Sequence, residues 1–335
     1  MRYSSQIKPI SYLKANAAEV LAHLTAGALQ TTRHNNQGAS PSLRPKIRIG
    51  LSCRIPAGSQ PMKDLSPIAR HYTQGNLLHT IRSAVAQLGK APEFVTIDDL
   101  APVDEFHIGG RAATRDFLAQ LVPKVDDHLL DIGCGIGGAS RYAALTYNCR
   151  VSGIDLTEEF VETGRELCRW TGLSDRITLS RGSALALDFA AGTFDKAYML
   201  HVGMNISDKA ALAIEVARVL KPGALFGIYD VMRMSDEPLA YPVPWASTEE
   251  GSFPGTPEEY RAALQAAGFE IVATRNRHDL AINFFEDLKR KAARADAPIG
   301  LPITMGATAQ TKIQNMIENL TRGCIAPVEL IARKP

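Results

Sequence analysis

Paired cysteines are missing from this sequence. Its 335 residues hold five (Cys53, Cys134, Cys149, Cys168 and Cys324), an odd number with no C-x-x-C pair. That usage argues against a disulfide framework and a zinc ribbon, and it is expected of a reduced, cytoplasmic compartment. Long apolar runs are missing too. No stretch approaches the roughly 18 apolar residues that a membrane span needs. No early apolar run ends in a small-residue cleavage site, so no secretory signal is expected. Neither sign of charge dominates. Lys plus Arg is 37 and Asp plus Glu is 35, a net charge of +2, which gives no whole-chain case for nucleic acid or an acidic membrane. Internal repeats are absent.

What is present is ordinary globular material, 45% apolar and 21% charged, long enough for two domains or for one large domain with appendages. The charge is unevenly spread. Residues 1–60 carry eight basic residues and one acidic residue, net +7, and the remainder carries 29 basic against 34 acidic, net −5. We read residues 1–63 as a basic extension. Ile10, Leu13, Ala17, Val20, Leu21 and Leu24 form a helical stripe in it, and a Ser/Pro/Gly/Asn-rich linker follows. Residues 64–120 read as a helical cap. Leu77, Leu78, Ile81, Val85 and Leu88 recur at helical spacing before Gly89, and a second helix runs from about Ala112 to Leu121.

From residue 121 to 335 the pattern alternates. Leu129–Ile132, Val151–Asp155, Ile177–Leu179, Ala197–Leu200, Leu225–Tyr229, Glu270–Ala273 and Pro327–Ile331 read as strands. Helices separate most of them, and Thr256-Pro257-Glu258-Glu259 opens one with a capping box. Val219-Leu220-Lys221-Pro222-Gly223 reads as a turn before the fifth strand. Such alternation predicts an α/β fold with a mostly parallel sheet covered on both faces. Ligands of these sheets bind outside the carboxyl ends of the strands, which gathers the Gly133–Gly138 loop, Asp155, Ser183, His201 and Asp230 on one rim. Residues 230–256 and 278–322 read as insertions on the substrate side.

Gly133, Gly135 and Gly138 satisfy G-x-G-x-x-G between a strand and a helix. Glycines there permit a tight turn and close ligand approach, and the helix N-terminus offers unpaired N–H groups. Asp155 ends the next strand, where a carboxylate can accept ribose hydroxyls. Together these features predict an adenosine-containing cofactor, either a nicotinamide dinucleotide or S-adenosylmethionine. Asp131 bears on the choice. A carboxylate beside an anion-binding loop suits an ammonium and a sulfonium better than a pyrophosphate.

Leu129-Leu130-Asp131-Ile132-Gly133-Cys134-Gly135-Ile136-Gly137 resembles the first motif of class I S-adenosylmethionine-dependent methyltransferases. The resemblance extends over about residues 65–335 and includes Asp155, Gly182-Ser183-Ala184, Phe194-Asp195 and the Lys221-Pro222-Gly223 turn. It implies a Rossmann-like seven-stranded methyltransferase sheet, mostly parallel with the last strand antiparallel, a helical N-terminal cap and inserted substrate-binding segments. It also implies S-adenosyl-L-methionine as cofactor, bound by Asp131, Gly133, Gly135, Gly137, Asp155, Leu156, Ser183, Ala184 and His201. Ser183 departs from the family, which usually has Asp there to receive the adenine amino group. A serine accepts that bond without charge.

Within the superfamily the likeness is to sarcosine/dimethylglycine-type small-molecule methyltransferases, with ubiquinone and tocopherol methyltransferases more distant. It is carried by His71–Leu77, Glu105–Gly110, His201–Ile206 and Tyr229–Met232. It implies Tyr72 in a lid over the cofactor, and His107 and Gly110 near its methionine end. His201 is the candidate catalytic base, with cofactor binding as its other reading. Asn205, Tyr241, Trp245 and Phe284 are the candidate acceptor contacts, since aromatics can hold an ammonium by cation–π attraction. No metal ligands are expected. The expected activity is in-line methyl transfer to a small-molecule acceptor, an amine by resemblance. O- or C-transfer to a quinone or phenol is the alternative, and no membrane or nucleic-acid partner is expected. The stretch Gln6–Val20 resembles the start of Phd/YefM-type antitoxins, which raises a reading of another class: a DNA-binding regulator with a degenerate methyltransferase body. No oligomeric state is assigned.

Overall fold

In the computed structural model the described residues are Ser66–Ala292, Gly300 and Pro302–Pro335, all in a compact unit that runs from Gln60 to Pro335. The expected extension at residues 1–63, with its helical stripe and antitoxin-like stretch, lies outside them.

Helices come first. α1 (Ser66–Tyr72) and α2 (Leu77–Gln87) flank Gly75, which sits at φ +83°. α2 buries Leu77, Ile81, Ala84 and Val85, one face at helical spacing. α3 (Ile97–Asp104) falls inside the expected helical cap, where no separate helix was named, and it carries Pro102. Its start is nevertheless well made. The Thr96 hydroxyl accepts the Asp99 N–H at 3.3 Å and the Asp99 carboxylate accepts the Thr96 N–H at 2.9 Å. α4 (Gly110–Gln120) starts slightly earlier than its apolar pattern suggests, behind Gly109 at φ +88°.

The strands then alternate with crossover helices: β1 (His128–Ile132), α5 (Gly138–Tyr147), β2 (Arg150–Asp155), α6 (Glu158–Trp170), β3 (Ile177–Arg181), β4 (Phe194–Leu200), α7 (Lys209–Val219) and β5 (Leu220–Arg233). α8 (Pro257–Ala266), β6 (Glu270–Asn276), α9 (His278–Ala292), α10 (Pro302–Met305), α11 (Ala309–Thr321) and β7 (Ile325–Arg333) complete the described chain. The strands form one seven-stranded sheet in the order β3-β2-β1-β4-β5-β7-β6. β1 to β5 pair in parallel, and β7 is antiparallel to both β5 and β6. Successive side chains face opposite sides of a strand. Leu129 therefore enters the core under α4, α5 and α6, and Leu130 the core under α7 and α8.

One expected turn is built differently. Phe194 pairs with Leu220 and Lys196 with Leu225, so residues 221–224 bulge outward while the ladder continues on either side. Gly223 supplies the positive φ of +78° that the bulge needs. The chain winds outward from β1 to β3, then returns to β4 on the other side of β1. That reversal opens a crevice at the carboxyl ends of β1 and β4. Among the described residues no helix is long and apolar enough to cross a membrane.

Candidate functional site

A cavity of about 340 Å³ occupies this crevice. Asp131, Gly133, Gly135, Asp155, Leu156, Ser183, Ala184 and His201 line it from the strand ends, and Tyr72, His107, Asn205, Trp245 and Phe284 line it from elsewhere. Three of the expected cofactor and acceptor contacts, Gly110, Gly137 and Tyr241, are not part of the lining. Gly137 instead caps α5 at φ +81°, packed toward Leu179 and Arg141. Gly110 opens α4 against Glu105 and Phe284. Tyr241 packs against the apolar cluster behind the cavity. Asp230 also stays outside the lining, where it accepts the Tyr260 hydroxyl, and Met232 is fully buried in the core.

The glycine loop is shaped for a ligand. Gly135 sits at φ +54°, and a Cβ there would meet nothing within 4 Å, so that backbone borders open space. Asp155 fixes the loop by accepting the N–H groups of Gly135 at 3.0 Å and Thr157 at 2.8 Å. Each carboxylate oxygen keeps a lone pair for a further donor. Burial raises the pKa of Asp155 against the pull of those N–H bonds. Asp131 is 2% exposed and accepts the Ser140 hydroxyl at 2.6 Å. Burial pushes its carboxyl up to about 7. Ser183 lines the cavity with its Oγ accepting the Leu185 N–H at 3.2 Å.

His201 follows β4 in the left-handed region at φ +55°, strained for a non-glycine residue. Its N–H donates to the Tyr229 carbonyl at 2.7 Å. The Ile108 N–H points at Nε2 from 3.4 Å, and Nδ1 is buried with no partner. That arrangement assigns the ring proton to Nδ1. Burial, aided by His107 with ring centroids 5.8 Å apart, drives the pKa of His201 well below the ordinary value, so the ring is neutral. His107 is neutral for the same first reason, burial. The Thr114 hydroxyl donates to Glu105 at 2.6 Å and lies 3.0 Å from His107 Nε2.

Two partnerships escaped the sequence reading. Asp104 and Arg141, both with fully buried side chains, form an ion pair that clamps α3 onto α5. A Cβ on Gly138 would lie 2.6 Å from Asp104 Cβ, which leaves room only for glycine at that crossing. Glu159 on α6 accepts the N–H groups of Gln74, Gly75 and Leu77 at 2.6, 2.9 and 2.9 Å and so moors α1 and α2. The Tyr72 hydroxyl donates to Asn205 Oδ1 at 3.2 Å, and both residues line the cavity. Asn205, expected to meet the acceptor, instead accepts from Tyr72, the residue expected in a lid. Among the described residues no group of three or more His, Cys, Asp or Glu side chains could hold a metal ion.

Residues 129–223 match a family model described as a methyltransferase domain. The sterol 24-C-methyltransferase of Eremothecium gossypii is 32% identical over 166 residues, 46% of this chain and 43% of that enzyme. The chain thus spans less than half the length of that relative. Among solved structures, a sarcosine dimethylglycine methyltransferase from Galdieria sulphuraria (so described in its own report as a tentative assignment) superposes with a TM-score of 0.56 at 21% identity. It covers 66% of this chain and 83% of that one. The [4+2]-cyclase SpnF superposes with a TM-score of 0.59 at 22% identity, covering 80% and 96%. At such identities the superpositions establish the fold alone, a Rossmann-like seven-stranded α/β sheet.

Proposed function

We infer that a chain carrying a methyltransferase domain around this cavity is an S-adenosylmethionine-dependent methyltransferase acting on a small molecule. The carrying observation is the Gly135 backbone bordering open space beside two carboxylates, Asp155 and Asp131. Asp155 would hold the ribose hydroxyls, Ser183 the adenine, and Asp131 with the orphaned Nδ1–H of His201 the two charges of the methionine end. A nicotinamide dinucleotide fits less well, since its pyrophosphate would meet Asp131. The sulfonium cofactor supplies an electrophilic methyl group and keeps the electron pair of the broken carbon–sulfur bond as a neutral thioether. The chain's share is alignment and dryness. Holding acceptor and donor in line is worth about 7–11 kcal/mol in systems of this kind, and the lid closed by Tyr72 and Asn205 excludes water.

His201 serves this reading as a hydrogen-bond donor, not a base. Its pKa is depressed and the Ile108 N–H faces its other nitrogen. A site without a strong base suits an acceptor that attacks with an existing lone pair, so nitrogen is the proposed reacting atom, in line with the sequence resemblance. O- or C-transfer to a phenol or quinone is the second choice, since it asks for a proton to be removed first.

Titration calorimetry tests the reading. S-adenosylhomocysteine should bind, while NADH and duplex DNA should not. Asp155→Ala should weaken S-adenosylhomocysteine at least tenfold with an unchanged circular dichroism spectrum. Unchanged affinity would remove the ribose assignment, and binding of NADH in its place would remove the activity.

A further inference from the structure

We propose that the acceptor is a predominantly apolar molecule bearing no carboxylate or phosphate group. The inference rests on the methyltransferase reading and narrows it to a substrate class. It also departs from the glycine-type acceptor that the sequence resemblance implies.

The cavity has two chemically distinct ends. The strand rim carries its acidic groups, among them Asp131 and Asp155. The far wall is Met204, Val231, Trp245, Phe284, Ile313 and Met316, drawn from the segment after β4, from β5, from the loop behind it, and from α9 and α11. Trp245 uses its one polar atom internally, with Nε1 donating to Ser252 Oγ at 2.8 Å, so the indole offers the cavity an apolar surface. A wall of this kind rewards a ligand whose body displaces water from it. A glycine derivative is too small and too polar to do so.

Charge points the same way. Among the described residues, no lysine or arginine lines the cavity. Three nearby cations are committed elsewhere. Lys209 Nζ donates to the carbonyls of Gly203, Ile206 and Phe253, Arg111 pairs with Glu105, and Arg141 pairs with Asp104, while the buried Lys312, outside the lining, reaches the Met305 carbonyl at 3.4 Å. A carboxylate or phosphate on the acceptor would therefore be desolvated in the same cavity as Asp131 and Asp155, with no lysine or arginine among the described lining residues to offset it. A hydrocarbon body incurs no such penalty.

The experiment is calorimetry on the full chain, first with S-adenosylhomocysteine alone, then on that complex with 1-decanol, decanoate and sarcosine. The alcohol and the carboxylate share one hydrocarbon chain and differ in charge. Decanol should bind, decanoate should bind at least tenfold more weakly, and sarcosine should give no heat. Decanoate or sarcosine binding as tightly as decanol overturns the proposal, and so does a complex that ignores decanol. Failure of S-adenosylhomocysteine in the first titration is a different result and removes the methyltransferase reading itself. As a converse, Ile313→Arg or Phe284→Arg places a cation on the wall. Each should shift the decanoate-to-decanol affinity ratio at least tenfold toward decanoate, with S-adenosylhomocysteine affinity retained as the check on folding. An unchanged ratio in both variants overturns the charge argument.

Discussion

Asp131 is the residue whose chemistry is most exposed to test. Burial lifts its carboxyl to about 7, so it is largely protonated below that pH and ionised above it. A cofactor ammonium rewards only the ionised form. Affinity for S-adenosylhomocysteine should therefore rise with pH from about 6 and level off above about 8, by at most tenfold per unit. Asp131→Asn should bind more weakly and lose that slope, which calorimetry at four pH values would show. The acid before the first glycine was readable from the sequence because its chemistry is local to the loop. The state of His201 was not. Its neutrality comes from burial and from His107, and its tautomer from the Ile108 N–H, and both of those partners lie 93 or more residues away.

At the scale of elements, the lid depends on one carboxylate. Glu159 takes three backbone N–H groups from the connection between α1 and α2. Glu159→Ala returns those groups to water, and hydrogen bonds to charged acceptors are worth about 1.5–3 kcal/mol each when buried, less when wet. S-adenosylhomocysteine should leave about ten times faster in stopped-flow displacement, with the sheet unaltered. Helix starts show which elements can be read in advance. Thr256-Pro257-Glu258-Glu259 announced α8, and both capping bonds are present. Thr96 and Asp99 carry the same chemistry for α3, but only a short stretch with Pro102 in it follows, and the fixing contact to Arg141 spans 37 residues. The Lys221-Pro222-Gly223 segment has the composition of a turn, yet pairing continues around it because β4 supplies partners on both sides.

For the whole molecule, binding and folding are linked, since a ligand held between α1, α3 and the strand ends recognises only the folded chain. At 100 times its Kd, S-adenosylhomocysteine adds about 2.7 kcal/mol. For a unit of this size that is a rise in Tm of about 5 °C, measurable by differential scanning fluorimetry, and NADH should produce none. The layered α/β architecture was legible because strand and helix periods alternate so regularly. The lining of the far wall was legible only in part, since its side chains come from β5, α9 and α11 and meet through tertiary packing alone. The position of β7 has a consequence for biosynthesis. It follows β6 in the chain, yet it lies between β5 and β6 and, among the described residues, is the only neighbour β6 has. Until it emerges, the nascent polypeptide carries two unzipped margins and an unfinished interior. Folding of this half must therefore wait until β7 has been made, and chaperones would be expected to meet the chain in that interval.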